Sequence, residues 1–270
     1  MAVSAAINAG LVRGLHFYPV KGLSPQPLSR VVLAAGEGFP FDRMYGLARF
    51  DSGFDPNDPK PLPKQRFLML ARDAQLAALE THLDPLTRRF TVRVRGDLVH
   101  ESDFTQPEAV ERTMDFFAEL LGLALDRRPR LAQAAPHRFT DVSVGSAQLM
   151  NAVSLINVDS VSDLAARIGQ SIDPLRFRAN LYFDGWPPFS ELARLDEEIE
   201  IGSLRLRILH RTRRCAATEV NPKTAKRDIA IPRLLNEHYG HADMGVYAEV
   251  SMGGIVELGM PIVHLARIIA

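Results

Sequence analysis

Residues 198–209 read EIEIGSLRLRIL, and the strict alternation of charged and apolar side chains marks an extended chain. A period of two puts Ile199 and Ile201 on one face of the first run, and Leu204, Leu206 and Ile208 on one face of the second. Gly202-Ser203 between the runs predicts a tight hairpin turn. Upstream, RFRANLYFDG (176–185) reads as another strand, and downstream GVYAEV (245–250), IVELG (255–259) and PIVHLA (261–266) read as closing strands. IPRLLNEHYG (231–240) predicts a short helix, with Pro232 suited to its first turn and Gly240 to its end.

The first part of the chain carries the same signals. LVRGLHFYPV (11–20), PLSRVVLA (28–35), RMYGLARF (43–50) and RFTVRVR (89–95) read as strands. The Asp-, Pro- and Gly-rich stretch 51–64 reads as an exposed loop. Leu76, Leu79 and Leu83 behind Asp73 have the spacing of a capped helix. Val110, Met114, Phe117 and Leu121 form one stripe of an amphipathic helix over 108–121. VSLINV (153–158) predicts a strand running into a helix, where Ser160 and Asp163 have capping-box spacing. The fold class expected is α+β and predominantly β: two β-barrel domains with covering helices, over 11–130 and 131–270.

Composition excludes several functions. The 32 basic and 32 acidic residues cancel, and aromatic residues make up only 7%, so neither nucleic acid nor an anionic membrane is an expected partner. A single cysteine rules out an intramolecular disulfide, and residues 1–10 lack a basic segment ahead of their short apolar run. The expectation is a cytoplasmic protein that does not span a membrane.

That one cysteine, Cys215, stands in RTRRCAATEVNP (211–222) behind two arginines. Cationic neighbours favour thiolate over thiol, and a thiolate is a soft ligand for a transition metal. Lys21 in YPVKG, Arg43 in FDRMYG, and Arg178 with Asn180 in RFRAN are donors near strand ends, suited to gripping a phosphate or a polar heterocycle. Taken one at a time, these residues are better explained as an inert buried cysteine and solvated surface cations. His238 and His241 near Asp243 have zinc-like spacing, but that set falls short of a closed structural site.

Together and in this order, the elements resemble those of MOSC proteins, named for the C-terminal domain of molybdenum cofactor sulfurase. The chain is similar in particular to the two-domain group that includes the mitochondrial amidoxime-reducing component and its bacterial relatives. YPVKG resembles part of that group's N-terminal β-barrel domain. RFRAN resembles the family's FRPN element, and RRCAATEVNPKTA its cysteine element. Departures are Ala179 for proline, Asn221 for aspartate, Ala225-Lys226 for glycine, and Arg213 where a small residue is usual.

The resemblance implies a molybdopterin-type molybdenum cofactor with Cys215 as metal ligand and catalytic residue. It implies that Lys21, Arg43 and Arg178 hold the pterin phosphate and ring, with Asn180, Arg214, Thr218, Tyr247 and Ser160 nearby. It also implies an oxidoreductase that reduces N-hydroxylated or N-oxide small molecules. An iron–sulfur cluster needs about four cysteines, so electrons are expected from a separate ferredoxin or flavoprotein. Two alternatives stay open: a sulfur carrier using a Cys215 persulfide, and a module that binds and delivers the cofactor.

Overall fold

A computed structural model of the chain describes residues 9–265. The first strand, β1 (Ala9–Phe17), buries Val12, Leu15 and Phe17, its alternation interrupted by a register slip between Val12 and Gly14. Short strands β2 (Gln26–Leu28), β3 (Arg30–Leu33) and β4 (Tyr45–Ala48) follow. Strands β5 (Glu80–Leu83), β6 (Arg89–Val94) and β7 (Asp97–Asp103) make an antiparallel meander. The amphipathic helix is α1 (Pro107–Leu120), whose Met114 and Phe117 pack with Leu83, Phe90 and Val92. Strand β8 (Arg130–Gln133) pairs antiparallel with β4.

One expected helix is not there. After Asp73 the chain makes a single 3-10 turn, Ala74–Ala78, and then enters β5. Leu76, Leu79 and Leu83 are buried all the same, in the apolar cluster that also holds Phe90, Val92 and Phe117. Asp73 caps nothing; its carboxylate accepts from the Met69 amide and the Arg49 guanidinium.

The second part opens with α2 (Ala147–Met150) and β9 (Val153–Asn157), then α3 (Val158–Ile168) and β10 (Leu181–Asp184). The hairpin is β11 (Glu198–Ile201) with β12 (Leu204–Arg213), turning at Gly202, whose φ of 58° suits glycine. Helix α4 (Ile231–Tyr239) has Pro232 in its first turn and Gly240 as its left-handed cap. Strands β13 (Asp243–Met252), β14 (Gly254–Glu257) and β15 (Pro261–Leu265) close the described residues.

Seven of these strands form a closed barrel in the order β10-β9-β13-β12-β11-β15-β1, with β1 pairing back onto β10. Closure leaves the barrel without an open edge. Only β9 and β10 run parallel, and α3 is the crossover that such a pair requires. Val12, Leu155, Leu181, Leu206 and Val246 belong to the apolar cluster at its centre. Outside it, β2 adds to β1, and β3 pairs with β14.

Two further expectations change at the residue level. The cap of α3 is Asn157, whose side chain accepts from the Asp159 amide; Ser160 lies inside the helix and is fully buried. RFRAN is not a strand: residues Pro174–Phe177 make a 3-10 turn, Arg178 adopts a left-handed conformation, and β10 starts at Leu181.

Candidate functional site

Strand β12 delivers the cysteine. Its pairing with β13 slips between Ile208 and His210 and again between Arg211 and Arg213. Such bulges bend a strand and re-aim its side chains. The chain then leaves the barrel at Arg214 and places Cys215 at the head of a 3-10 turn, Ala216–Glu219. Thr218 locks that turn, its hydroxyl donating to the Cys215 carbonyl at 2.9 Å. The half-buried thiol lines a cavity of about 260 Å³.

Cations from distant parts of the chain converge there. Lys21, Arg43, Arg178 and Arg214 line the cavity together with Asn180, Thr218 and Tyr247. Lys21 is buried; its ammonium donates to the Phe139 carbonyl at 3.0 Å and pairs with Asp141. The turn after it needs Gly22, at φ 83°, where a Cβ would meet the Leu68 carbonyl at 3.2 Å. Arg43 and Arg178 both have positive φ, 49° and 53°. Their guanidiniums stand 4.5 and 4.4 Å from the centre of the buried Tyr18 ring, and Arg43 Nη2 donates to the Arg178 carbonyl. Two non-glycine residues held left-handed side by side is the kind of backbone strain that clusters at functional sites.

Other members brace the walls. Arg214 gives its guanidinium to the carbonyls of Met244 and Phe177. Asn180 accepts from the Ser154 amide and hydroxyl and donates to the His16 carbonyl, tying β9 to β1. Ser160 is absent from the cavity lining. Its hydroxyl accepts from the Phe189 amide at 2.8 Å and donates to the buried Glu191. His238 and His241 flank Tyr239 outside the lining, and no metal-holding cluster exists among the described residues.

The fold also brings in residues that local sequence does not announce. Lys64, from the Pro-rich loop, donates to Cys215 Sγ at 3.3 Å and lies 3.6 Å from Asp141. Asp141 thereby bridges two lysines. Burial alone would raise its carboxyl, but Lys21 and Lys64 hold it well below the usual range. Burial pushes Lys21 down, partly offset by Asp141. Burial acts on Lys64 in the same way, yet Asp141 and Cys215 raise it overall. Burial lowers Arg178 and Arg214 too, each cationic form being poorly solvated where it sits.

Eight lysines and arginines therefore meet one acid, Asp141, inside the lining; Asp42 neutralises Arg43 and Asp228 neutralises Arg176 from outside it. Buried charge without a counter-charge is costly, so the arrangement calls for an anion. Two buried hydroxyls in the same lining, Thr140 Oγ1 and Thr212 Oγ1, have no hydrogen-bond partner. Orphaned buried groups of this kind call for an explanation, and a polar ligand supplies one.

Comparison with known proteins gives the segment behind the cavity its identity, because residues 136–263 match the MOSC domain family. The chain carries a MOSC domain. No curated protein matches the sequence. Among solved structures it is similar to the YuaD protein from Bacillus subtilis, at 13% identity and a TM-score of 0.43, over 96% of this chain and 97% of that one. It is also similar to YiiM from Geobacillus stearothermophilus, at 16% identity and a TM-score of 0.35, over 43% of this chain and 55% of that one.

The MOSC segment contains Cys215, Asp141, Arg178, Arg214 and Tyr247, and the barrel strands other than β1 start within it. Lys21, Arg43 and Lys64 lie outside it. The MOSC family takes its name from the molybdenum cofactor sulfurase C-terminal domain, which links the chain to that cofactor. No helix among the described residues is long and apolar enough to cross a membrane.

Proposed function

We propose that the chain binds the molybdenum cofactor with Cys215 as metal ligand and reduces N-hydroxylated or N-oxide small molecules. The observation that carries this reading is the convergence of the only cysteine with eight cations and two orphaned hydroxyls on one cavity. The donor set fits the group: a soft thiolate for the metal, and guanidiniums with an ammonium for an anionic phosphate.

In this reading Lys21, Arg43 and Arg178 neutralise the phosphate, and Tyr18 keeps the two guanidiniums in place. Thr140 and Thr212 offer their hydroxyls to polar edges of the bound group. Arg214 and Asn180 act on the walls, since their side chains are committed to the protein. Lys64 holds the cysteine sulfur from the loop side. The cofactor, when bound, supplies two-electron oxygen-atom chemistry, and the protein supplies binding, orientation and electrostatics. The overall conversion breaks an N–O bond, consumes two electrons and two protons, and releases water. A separate ferredoxin or flavoprotein provides the electrons.

The half-buried thiol with Lys64 beside it would also suit a persulfide, which is the sulfur-carrier reading. One assay separates the two. Protein made in a cofactor-competent host is mixed with an amidoxime and a reduced viologen, and the amidine is measured. Turnover that is lost in Cys215→Ser supports the reductase. No turnover, with an extra sulfur atom on Cys215 by mass spectrometry, supports the carrier.

A further inference from the structure

On the far side of the loop that carries Lys64 lies a second recess, of about 400 Å³, sharing no residue with the Cys215 cavity. Four arginines line it and no lysine does: Arg49, Arg66, Arg72 and Arg127. Arg49 is neutralised by Asp73, but its buried Nε has no hydrogen-bond partner. Arg66 donates only to the Asp51 carbonyl, and Arg127 stands 5.8 Å from the centre of the Phe50 ring. Among the described residues, Arg66, Arg72 and Arg127 have no acidic partner within ion-pair distance. Asp51 is the one acid in the lining, so the recess keeps an excess of positive charge.

That excess stands out in a chain whose charges cancel. The adjoining groove shows the ordinary outcome, with Arg128 tied to both Glu111 and Asp115. Guanidiniums suit carboxylate and phosphate better than ammonium groups do, because their fork of donors matches two oxygens at once. Apart from Gln65, the rest of the lining is apolar: Leu68, Leu123, Pro129 and the half-exposed Phe50 ring. Cationic forks around an apolar floor, in a volume within the range of small-molecule sites, define the chemistry of the occupant.

We propose that this recess binds a ring-bearing organic anion, a phosphate monoester or a carboxylate, at a site separate from the Cys215 cavity. The arginines hold the anionic oxygens, and Phe50 with Leu68 covers the ring. The site does not depend on the reductase reading. Its wall, residues 64–73, is shared: Arg66 faces the recess while Lys64, Met69 and Leu70 face the cysteine.

Calorimetric titration of the whole chain with phenyl phosphate, and with inorganic phosphate in parallel, tests the proposal. The Cys215 cavity also attracts anions, so Lys21→Gln identifies the binding event that belongs there. The arginine recess should give a second event that Lys21→Gln leaves in place. An Arg66→Gln/Arg127→Gln double variant should weaken that event by about tenfold or more, as loss of hydrogen bonds to charge implies. Phe50→Ala should remove the preference for phenyl phosphate over inorganic phosphate. The three side chains substituted in the recess are exposed whereas Lys21 is buried, and an unchanged thermal midpoint in each variant verifies that the fold is kept. A native isotherm in the double variant, or no event surviving Lys21→Gln, would overturn the proposal.

Discussion

The barrel interior around Leu155, Leu181, Leu206 and Val246 is assembled from apolar side chains, whereas the cavity at its rim gathers Lys21, Arg43, Arg178 and Arg214. Both regions are buried, and both depend on β1 and the turn after it to join residues far apart in the chain. In the interior every buried group gains by leaving water. At the rim, desolvation opposes the charged form of all four cations and prevails in Lys21, Arg178 and Arg214, and two hydroxyls lack partners. Stability is concentrated in the first region, and the second is held by it in a form useful only to a ligand.

The largest effect belongs to the interior. Leu206→Ala removes a fully buried side chain from the barrel centre and should cost about 2–5 kcal/mol in urea unfolding. A cost near zero would mean that the barrel is not the stabilising core.

Glu191 tests whether a buried acid outside the cavity behaves as the cavity cations do. Burial is the main cause that raises its carboxyl, from 4.5 to about 7, against hydrogen bonds from Asn157 and Ser160. The folded protein then keeps a proton that the unfolded chain releases. Its contribution is complete below pH about 4.5 and is lost as pH rises through about 7. Glu191→Gln should therefore gain stability relative to the native protein over this window, by up to about 3 kcal/mol. Parallel pH profiles of the two proteins would refute the raised acid.

Arg178→Gln sharpens the contrast from the rim side. Removing a poorly solvated cation should change stability by no more than about 1 kcal/mol, while metal retention falls at least tenfold. A loss of several kcal/mol with retained metal would make Arg178 a structural residue instead. A smaller effect is expected at Tyr18, whose ring lies beside both guanidiniums. Tyr18→Leu should weaken cofactor retention several-fold, and Tyr18→Phe should restore it, because the cation–π contact needs only the ring. Equal retention in both variants would remove Tyr18 from the site.

How far the sequence reaches depends on whether the causes are local. The 198–209 hairpin, the stripe of α1 and the Pro232–Gly240 frame of α4 are legible because neighbouring residues determine them. The MOSC domain is legible from the cysteine element and RFRAN in order. The 3-10 turn after Asp73 is not, since the same leucines fit a helix until strand pairing decides between them. Nothing local shows that β1 closes a barrel with β10 and β15, or that Lys64 leaves a Pro-rich loop to meet Cys215. Ser160 shows the converse: its motif position is plain, but its hydroxyl is already engaged with Glu191 and Phe189.

The central claim is that Cys215 holds a metal in the cationic cavity. Elemental mass spectrometry of protein made in a host competent for cofactor synthesis, beside Cys215→Ser, tests it most directly. The account predicts close to one molybdenum per chain in the native protein and loss of the metal in the variant. Equal metal in both proteins, or none in the native one, would contradict it.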